Sequence, residues 1–204
     1  VENKTMVVIG LTGSIGMGKS TIARQFSALG AKICSADACV HKLMSKGGKA
    51  VAEIEKYFPE AVKSGSVDRQ ILGKIVFSDK IKLTKLENIL HPLVQKMEDD
   101  FIAKVRRLGA KLVILDIPLL FETNGHERVD FTVVTSAPYF IQKQRVMARK
   151  NMTTEKFERI IASQMQDLEK RNRADFVIPT GLGKAYSFRR VLGISHWALG
   201  KREK

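Results

Sequence analysis

Between the apolar run Met6–Ile9 and the stretch "IARQFSALG" lies "GLTGSIGMGKST", Gly10 to Thr21, and no other segment restricts the fold so strongly. Gly13-Ser14-Ile15-Gly16-Met17-Gly18-Lys19-Ser20 fits the spacing G-x-x-x-x-G-K-[ST], which acquires meaning only when a buried strand precedes it and a helix follows. Both are present. Thr5 to Leu11 reads as the strand, and "STIARQFSAL" as a helix with Ile22, Phe26 and Leu29 at helical spacing and Gly30 as its terminator. Glycines allow successive backbone N–H groups to converge on phosphate oxygens, and the helix N-terminus adds partial positive charge. Gly13, Ser14, Ile15, Gly16, Met17, Gly18, Lys19, Ser20 and Thr21 therefore form the candidate triphosphate cradle. Lys19 is expected to reach the β- and γ-phosphates, and the Ser20 hydroxyl to ligate Mg²⁺.

The rest of the chain alternates short apolar runs with helical patterns. "AKICSAD" reads as a second strand running into Asp37, "KLVILDIPLLFE" supplies a third ending at Asp116, "DFTVVTS" a fourth and "DFVI" a fifth. From Ala38 to Leu108 no strand pattern is visible. Apolar residues from Leu72 to Val105 follow the helical period, with breaks expected at Pro59, "KSGS" and His91-Pro92. Further helices are expected at about Tyr139 to Arg149, Thr154 to Arg171 and Lys184 to Leu199. Strands too continuously apolar for one-sided burial, separated by helices, indicate an α/β fold with a parallel sheet covered on both faces. Ligands then bind at the carboxyl ends of the strands, so the glycine loop, Asp37 and Asp116 are expected along one rim.

Composition narrows the partners. The 204 residues carry a net charge of +14, yet Lys and Arg are interleaved with Asp and Glu, and only the tail "GKREK" forms a local basic patch. Solvated faces and anionic small-molecule sites explain this pattern better than a nucleic-acid surface, and a nucleic-acid-associated NTPase is the alternative from another class. Two cysteines, Cys34 and Cys39, suggest neither a disulfide framework nor a zinc site. With no apolar stretch of membrane-spanning length near Val1, the chain is expected to be cytoplasmic.

If the donor is a nucleoside triphosphate, the acceptor is the open question. A guanine-reading N-K-x-D late in the chain is missing; the only Asn-Lys is Asn3-Lys4. A small kinase needs a base for the acceptor hydroxyl, a domain to hold the acceptor and cations over the migrating phosphoryl group. Asp37 is the candidate base. Asp116 is an alternative base or a water-mediated Mg²⁺ ligand, and either carboxylate could instead be a helix or loop cap. Arg145 and Arg149, four apart on one expected helix, would share a face that points either to the cleft or to water.

"GLTGSIGMGKSTIARQFSALGAKICSADACVHKL", "VDRQILGKIVF", "LENILHPLV", "LDIPLLFE" and "RADFVI", in this order and spacing, resemble the dephospho-CoA kinase family over about residues 6 to 182. The resemblance implies a nucleotide-kinase-like P-loop fold: a five-stranded parallel core (1–43, 109–138 and 172–204), a helical acceptor domain (44–108) and a helical lid (139–171). It implies transfer of the γ-phosphoryl of ATP to the ribose 3′-hydroxyl of dephospho-CoA, with Mg²⁺. A nucleoside monophosphate or another hydroxyl metabolite is the alternative acceptor. By motif position it makes Asp37 the catalytic carboxylate and Arg145 the lid arginine that approaches the phosphates, and it sets Thr12 beside the reaction centre. His91 then reads as a helix-breaking step or an acceptor-side group rather than a base. Arg69 reads as a partner of an acceptor phosphate or of a neighbouring carboxylate, and Glu122 as a loop support. His126 and His196 call for no function. Membranes are not expected as partners, and oligomeric state stays open.

Four positions in three segments depart from the family pattern. Its D-A-D element is Ser35-Ala36-Asp37 here, Ser14 stands where glycine is usual, and Pro179-Thr180 replaces Asp-Asn near the expected adenine site. Serine at 14 requires that φ stay negative there.

Overall fold

The computed structural model describes residues 6–76 and 79–200. Thr5, at the start of the expected first strand, Phe77, at the end of "VDRQILGKIVF", and the last four residues of the basic tail lie outside them.

Strand β1 (Val7–Thr12) is buried along its whole length, as is β5 (Leu112–Asp116). With β2 (Lys32–Ser35), β6 (Phe131–Ser136) and β7 (Phe176–Pro179) they form one five-stranded sheet in the order β2-β5-β1-β6-β7. The β1–β5, β1–β6 and β6–β7 pairings are parallel. Central β1 thus has β5 on one side and β6 on the other, and its register sets Leu11 opposite Asp116 and Thr12 opposite Val134. Whatever leaves the end of β1 emerges beside the end of β5.

Helices α1 (Lys19–Ala28) and α9 (Lys184–Gly200) cover one face of this sheet. Ile22 and Phe26 from α1 and Val191 and Ile194 from α9 join Ile9, Leu11, Ile114, Val133 and Ile178 in one apolar core. Helix α1 stops where expected: Leu29 caps it, and Gly30 follows with φ +90°, a left-handed conformation that costs glycine little.

The chain forms two compact units, one of residues up to Cys34 with those from Val105 onward, the other Ser35–Lys104. The second contains α2 (Ala36–Met44), α3 (Val51–Tyr57), α4 (Arg69–Val76) and most of α5 (Lys80–Arg107). Two expectations fail in it. "KSGS" is a break, but also the turn of a small antiparallel hairpin, β3 (Val62–Lys63) with β4 (Ser66–Val67). Ser64 and Gly65 both have positive φ, +50° and +74°, as a two-residue hairpin turn of the right twist requires. Strands of two residues leave no periodicity to read. His91-Pro92 does not break a helix either: α5 runs through Pro92 for 28 residues. Proline removes one backbone donor, but Leu86, Leu90, Val94 and Val105 keep a buried apolar face that outweighs that loss.

In the first unit, α6 is Tyr139–Met147, shorter than expected. The single helix anticipated from Thr154 to Arg171 is two, α7 (Thr154–Ala162) and α8 (Asp167–Arg173). The break begins where Ser163 turns its hydroxyl onto the Ile160 carbonyl and the backbone at Met165 bonds to the Glu122 carboxylate instead of continuing the helix.

Because Pro92 is exposed within α5 and leaves the Asn88 carbonyl without its intrahelical donor, Pro92→Ala should raise the melting temperature, with a gain of about 1–3 kcal/mol in urea unfolding.

Candidate active site

The segment between β1 and α1 turns where side chains would not fit. Gly13 has φ +153°, and a Cβ there would lie 2.1 Å from Thr135 Oγ1 and 2.8 Å from the Thr135 carbonyl oxygen. Ser14 is not among the residues of positive φ, so serine stands there without backbone strain. Gly18, at φ +88°, caps α1 without any side-chain bond, and the first turn of α1 holds no acidic residue. Nothing in the chain's own first turn neutralises the positive end of this helix.

Lys19, the first residue of α1, directs its ammonium onto the Asp116 carboxylate at the end of β5, forming an ion pair in which both side chains are largely buried. Ser20 is exposed one residue further along. Thr12 is fully buried and donates its hydroxyl to the Pro118 carbonyl at 3.0 Å, so it braces the end of β1 against the segment after β5.

Other side chains hold the loop from outside. Gln142 of α6 donates to the Ile15 carbonyl at 2.8 Å, and Gln164, between α7 and α8, accepts from the Ile15 N–H at 3.1 Å. Thr180, just past β7, donates to the Met17 carbonyl at 2.8 Å, and the Met17 sulfur accepts from the Ala137 N–H. Arg145 lies over this assembly, donating to Thr180 Oγ1 at 2.9 Å, to the Thr180 carbonyl at 2.7 Å and, more loosely, to the Gly16 carbonyl at 3.4 Å. Helix α6 ends at Met147, and Arg149 is exposed beyond its cap, Ala148.

Glu122 supports the site from behind. Its Oε1 accepts from Met165 N at 2.9 Å and pairs at 2.8 Å with Lys170 Nζ, whose side chain is 0% exposed and which also donates to the Pro118 carbonyl. Tyr139 donates to Glu158 at 2.6 Å, tying α6 to α7, and this bond raises the phenol above its ordinary pKa. Gln142, Gln164 and Lys170 were not legible as site residues. A buried lysine and two glutamines carry no spacing that distinguishes them from surface polar groups.

In the second unit, Asp37 is exposed in the first turn of α2, two residues after β2, and Ser35 caps that helix by accepting from Ala38 N at 3.4 Å. Arg69, exposed at the start of α4, approaches His41 Nδ1 at 3.4 Å rather than a carboxylate. His91 is half-buried within α5.

A glycine loop joining the central strand to a helix, with a lysine paired to the carboxylate at the neighbouring strand's end, defines a P-loop protein of the small-kinase type. Its fold is shared with a shikimate kinase of Acinetobacter baumannii: TM-score 0.53 at 17% identity, covering 98% of this chain and 97% of that one. The family is narrower. The dephospho-CoA kinase family model matches residues 7–182, and this chain belongs to that family. A dephospho-CoA kinase of Paramagnetospirillum magneticum is 52% identical over 166 residues, 81% of this chain and 78% of the relative. The solved dephospho-CoA kinase of Campylobacter jejuni superposes with TM-score 0.64 at 27% identity, over 95% of this chain and 98% of its own.

Removing one member of the buried Glu122–Lys170 pair leaves the other charge without its partner. Lys170→Met should therefore destabilise the protein by about 3–5 kcal/mol in urea unfolding, and adding Glu122→Gln should restore much of that loss.

Proposed function

We propose that this protein transfers the γ-phosphoryl group of ATP to the ribose 3′-hydroxyl of dephospho-CoA, giving coenzyme A and ADP. The observation that carries the reading is the family match over residues 7–182, joined to a glycine loop whose lysine meets the strand-end carboxylate Asp116. The helical second unit is the natural holder of the acceptor, and residues 139–171 cover the triphosphate as a lid.

Each step needs a group that the chain supplies. The amides of the glycine loop and the N-terminus of α1 bind the β-phosphate, and Lys19 bridges toward the γ-phosphate. Asp37 accepts the proton of the 3′-hydroxyl as its oxygen bonds to the γ-phosphorus. The bond from that phosphorus to the β–γ bridging oxygen breaks, and ADP leaves with the electron pair. The bonds of Arg145 to Thr180 and Gly16 use three of the five donors of its guanidinium, leaving two for the oxygens of the migrating group. Hard oxygen donors, the Ser20 hydroxyl and, through water, the Asp116 carboxylate, suit Mg²⁺, which would neutralise charge on the β- and γ-oxygens.

Incubation with ATP, Mg²⁺ and a panel of acceptors, followed by mass analysis, should show phosphorylation of dephospho-CoA in preference to nucleoside monophosphates. Preference for a monophosphate would overturn the assignment. Asp37→Asn should lower kcat by about 10²- to 10⁴-fold with ATP binding retained, since that is the usual worth of a positioned base. Full activity in that variant would remove Asp37 from the role. Arg145→Ala should slow transfer far more than it raises the KM for dephospho-CoA; a loss confined to KM would contradict the arginine's place over the phosphates.

A further inference from the structure

A phosphate-binding loop works only if its peptide planes face the right way. In a trans peptide the N–H points opposite to the C=O of the same plane, so fixing a carbonyl on one side fixes the following amide on the other. No described peptide bond is cis. The carbonyl of Ile15 is held by Gln142 and that of Met17 by Thr180. These two bonds set the Ile15–Gly16 and Met17–Gly18 planes and direct the N–H groups of Gly16 and Gly18 to the opposite side, away from Gln142 and Thr180. The other two amides of the stretch are engaged elsewhere: Ile15 N–H donates to Gln164, and Met17 N–H to the Ser14 carbonyl at 3.1 Å.

The holding groups are themselves fixed. Gln142 is 4% exposed and Thr180 7% exposed. The Thr180 hydroxyl also accepts from Arg145 and lies 3.3 Å from the Ser136 carbonyl. A Cβ on Gly18 would come within 3.1 Å of the Thr180 side chain, so this contact leaves little room for the loop to shift. Gln164 sits in the α7–α8 break, next to Met165, whose N–H bonds to Glu122, so the Glu122–Lys170 pair anchors the backbone that carries the acceptor of the Ile15 amide.

We propose that Gln142, Gln164 and Thr180 are positioning residues of the phosphate loop: without touching the nucleotide, they decide which backbone amides face its β-phosphate. Thr180 has the sharpest role, because its hydroxyl both grips the Met17 carbonyl and orients Arg145. The proposal rests on the loop's binding a nucleoside triphosphate, as argued above, and not on the identity of the acceptor.

The test compares Thr180→Val, which keeps the shape and deletes the hydroxyl, with Thr180→Ser, which keeps the hydroxyl, alongside Gln142→Ala and Gln164→Ala. Affinity for MgADP is measured by calorimetry, and kcat and both KM values by coupled assay. Thr180→Val and Gln142→Ala should bind MgADP about 5- to 30-fold more weakly, the worth of one or two kcal/mol, while the KM for dephospho-CoA stays within threefold of the parent. Thr180→Ser should restore the affinity. Unchanged MgADP affinity in Thr180→Val and Gln142→Ala would overturn the proposal, as would Thr180→Ser binding as weakly as the valine variant. Should the buried substitutions prevent folding, Gln164→Ala, at a half-buried position, decides: a loss of MgADP affinity supports the role, and parent-like affinity refutes it. A parent protein that binds MgADP but does not phosphorylate dephospho-CoA contradicts the acceptor assignment and leaves this comparison intact.

Discussion

The structure depends on the passage of the backbone from β1 into α1 past the Thr135 side chain and carbonyl, a path on which Gly13 has no room for a Cβ. Because that path is so tight, the loop can curl into a concave turn and present α1 end-on at the carboxyl rim of the sheet. Every residue of β1 is buried, and Val7, Ile9 and Leu11 are locked into the apolar core under α1 and α9, which makes a firm starting point for the loop. Rigidity matters here because phosphoryl transfer is catalysed mainly by positioning and charge, with little covalent work for the protein to do.

Two ion pairs divide the electrostatic work. Lys19–Asp116 lies at the rim, where a triphosphate would offer the ammonium stronger partners and leave the carboxylate free to order water and cation. Glu122–Lys170 lies behind it, with the lysine side chain wholly out of solvent. Such a pair gains little over an apolar replacement and is expensive to break. It fixes the break between α7 and α8, and through Gln164 that break reaches the loop.

Much of the first unit was legible because its signals are local and strong. Five apolar runs correspond to the five strands of the sheet, the glycine loop lies between strand and helix, and Lys19 and Asp116, each marked by its own local motif, are brought together by the register of β1 and β5. What escaped notice was non-local or weakly patterned. The division of α7 from α8 depends on Glu122, more than 40 residues away, accepting from Met165. Helix α5 survives Pro92 because its buried face outweighs a single missing bond, a comparison that a breaker rule does not make. Helix α6 stops two residues short of Arg149, so of the two arginines expected on it only Arg145 lies within it. In the sequence Thr180 stands out only as a departure near the expected adenine site, whereas its hydroxyl is spent on the Met17 carbonyl and on Arg145.

The central claim is an opposition: a triphosphate gripped by the loop and a ribose hydroxyl approached by the Asp37 carboxylate. A crystal structure with a non-hydrolysable ATP analogue, Mg²⁺ and dephospho-CoA tests it most directly. The account predicts an Asp37 oxygen within about 2.6–3.2 Å of the ribose 3′-oxygen, with that oxygen in line behind the γ-phosphorus. Asp37 turned away from the ribose, with Asp116 or no carboxylate in its place, would contradict it.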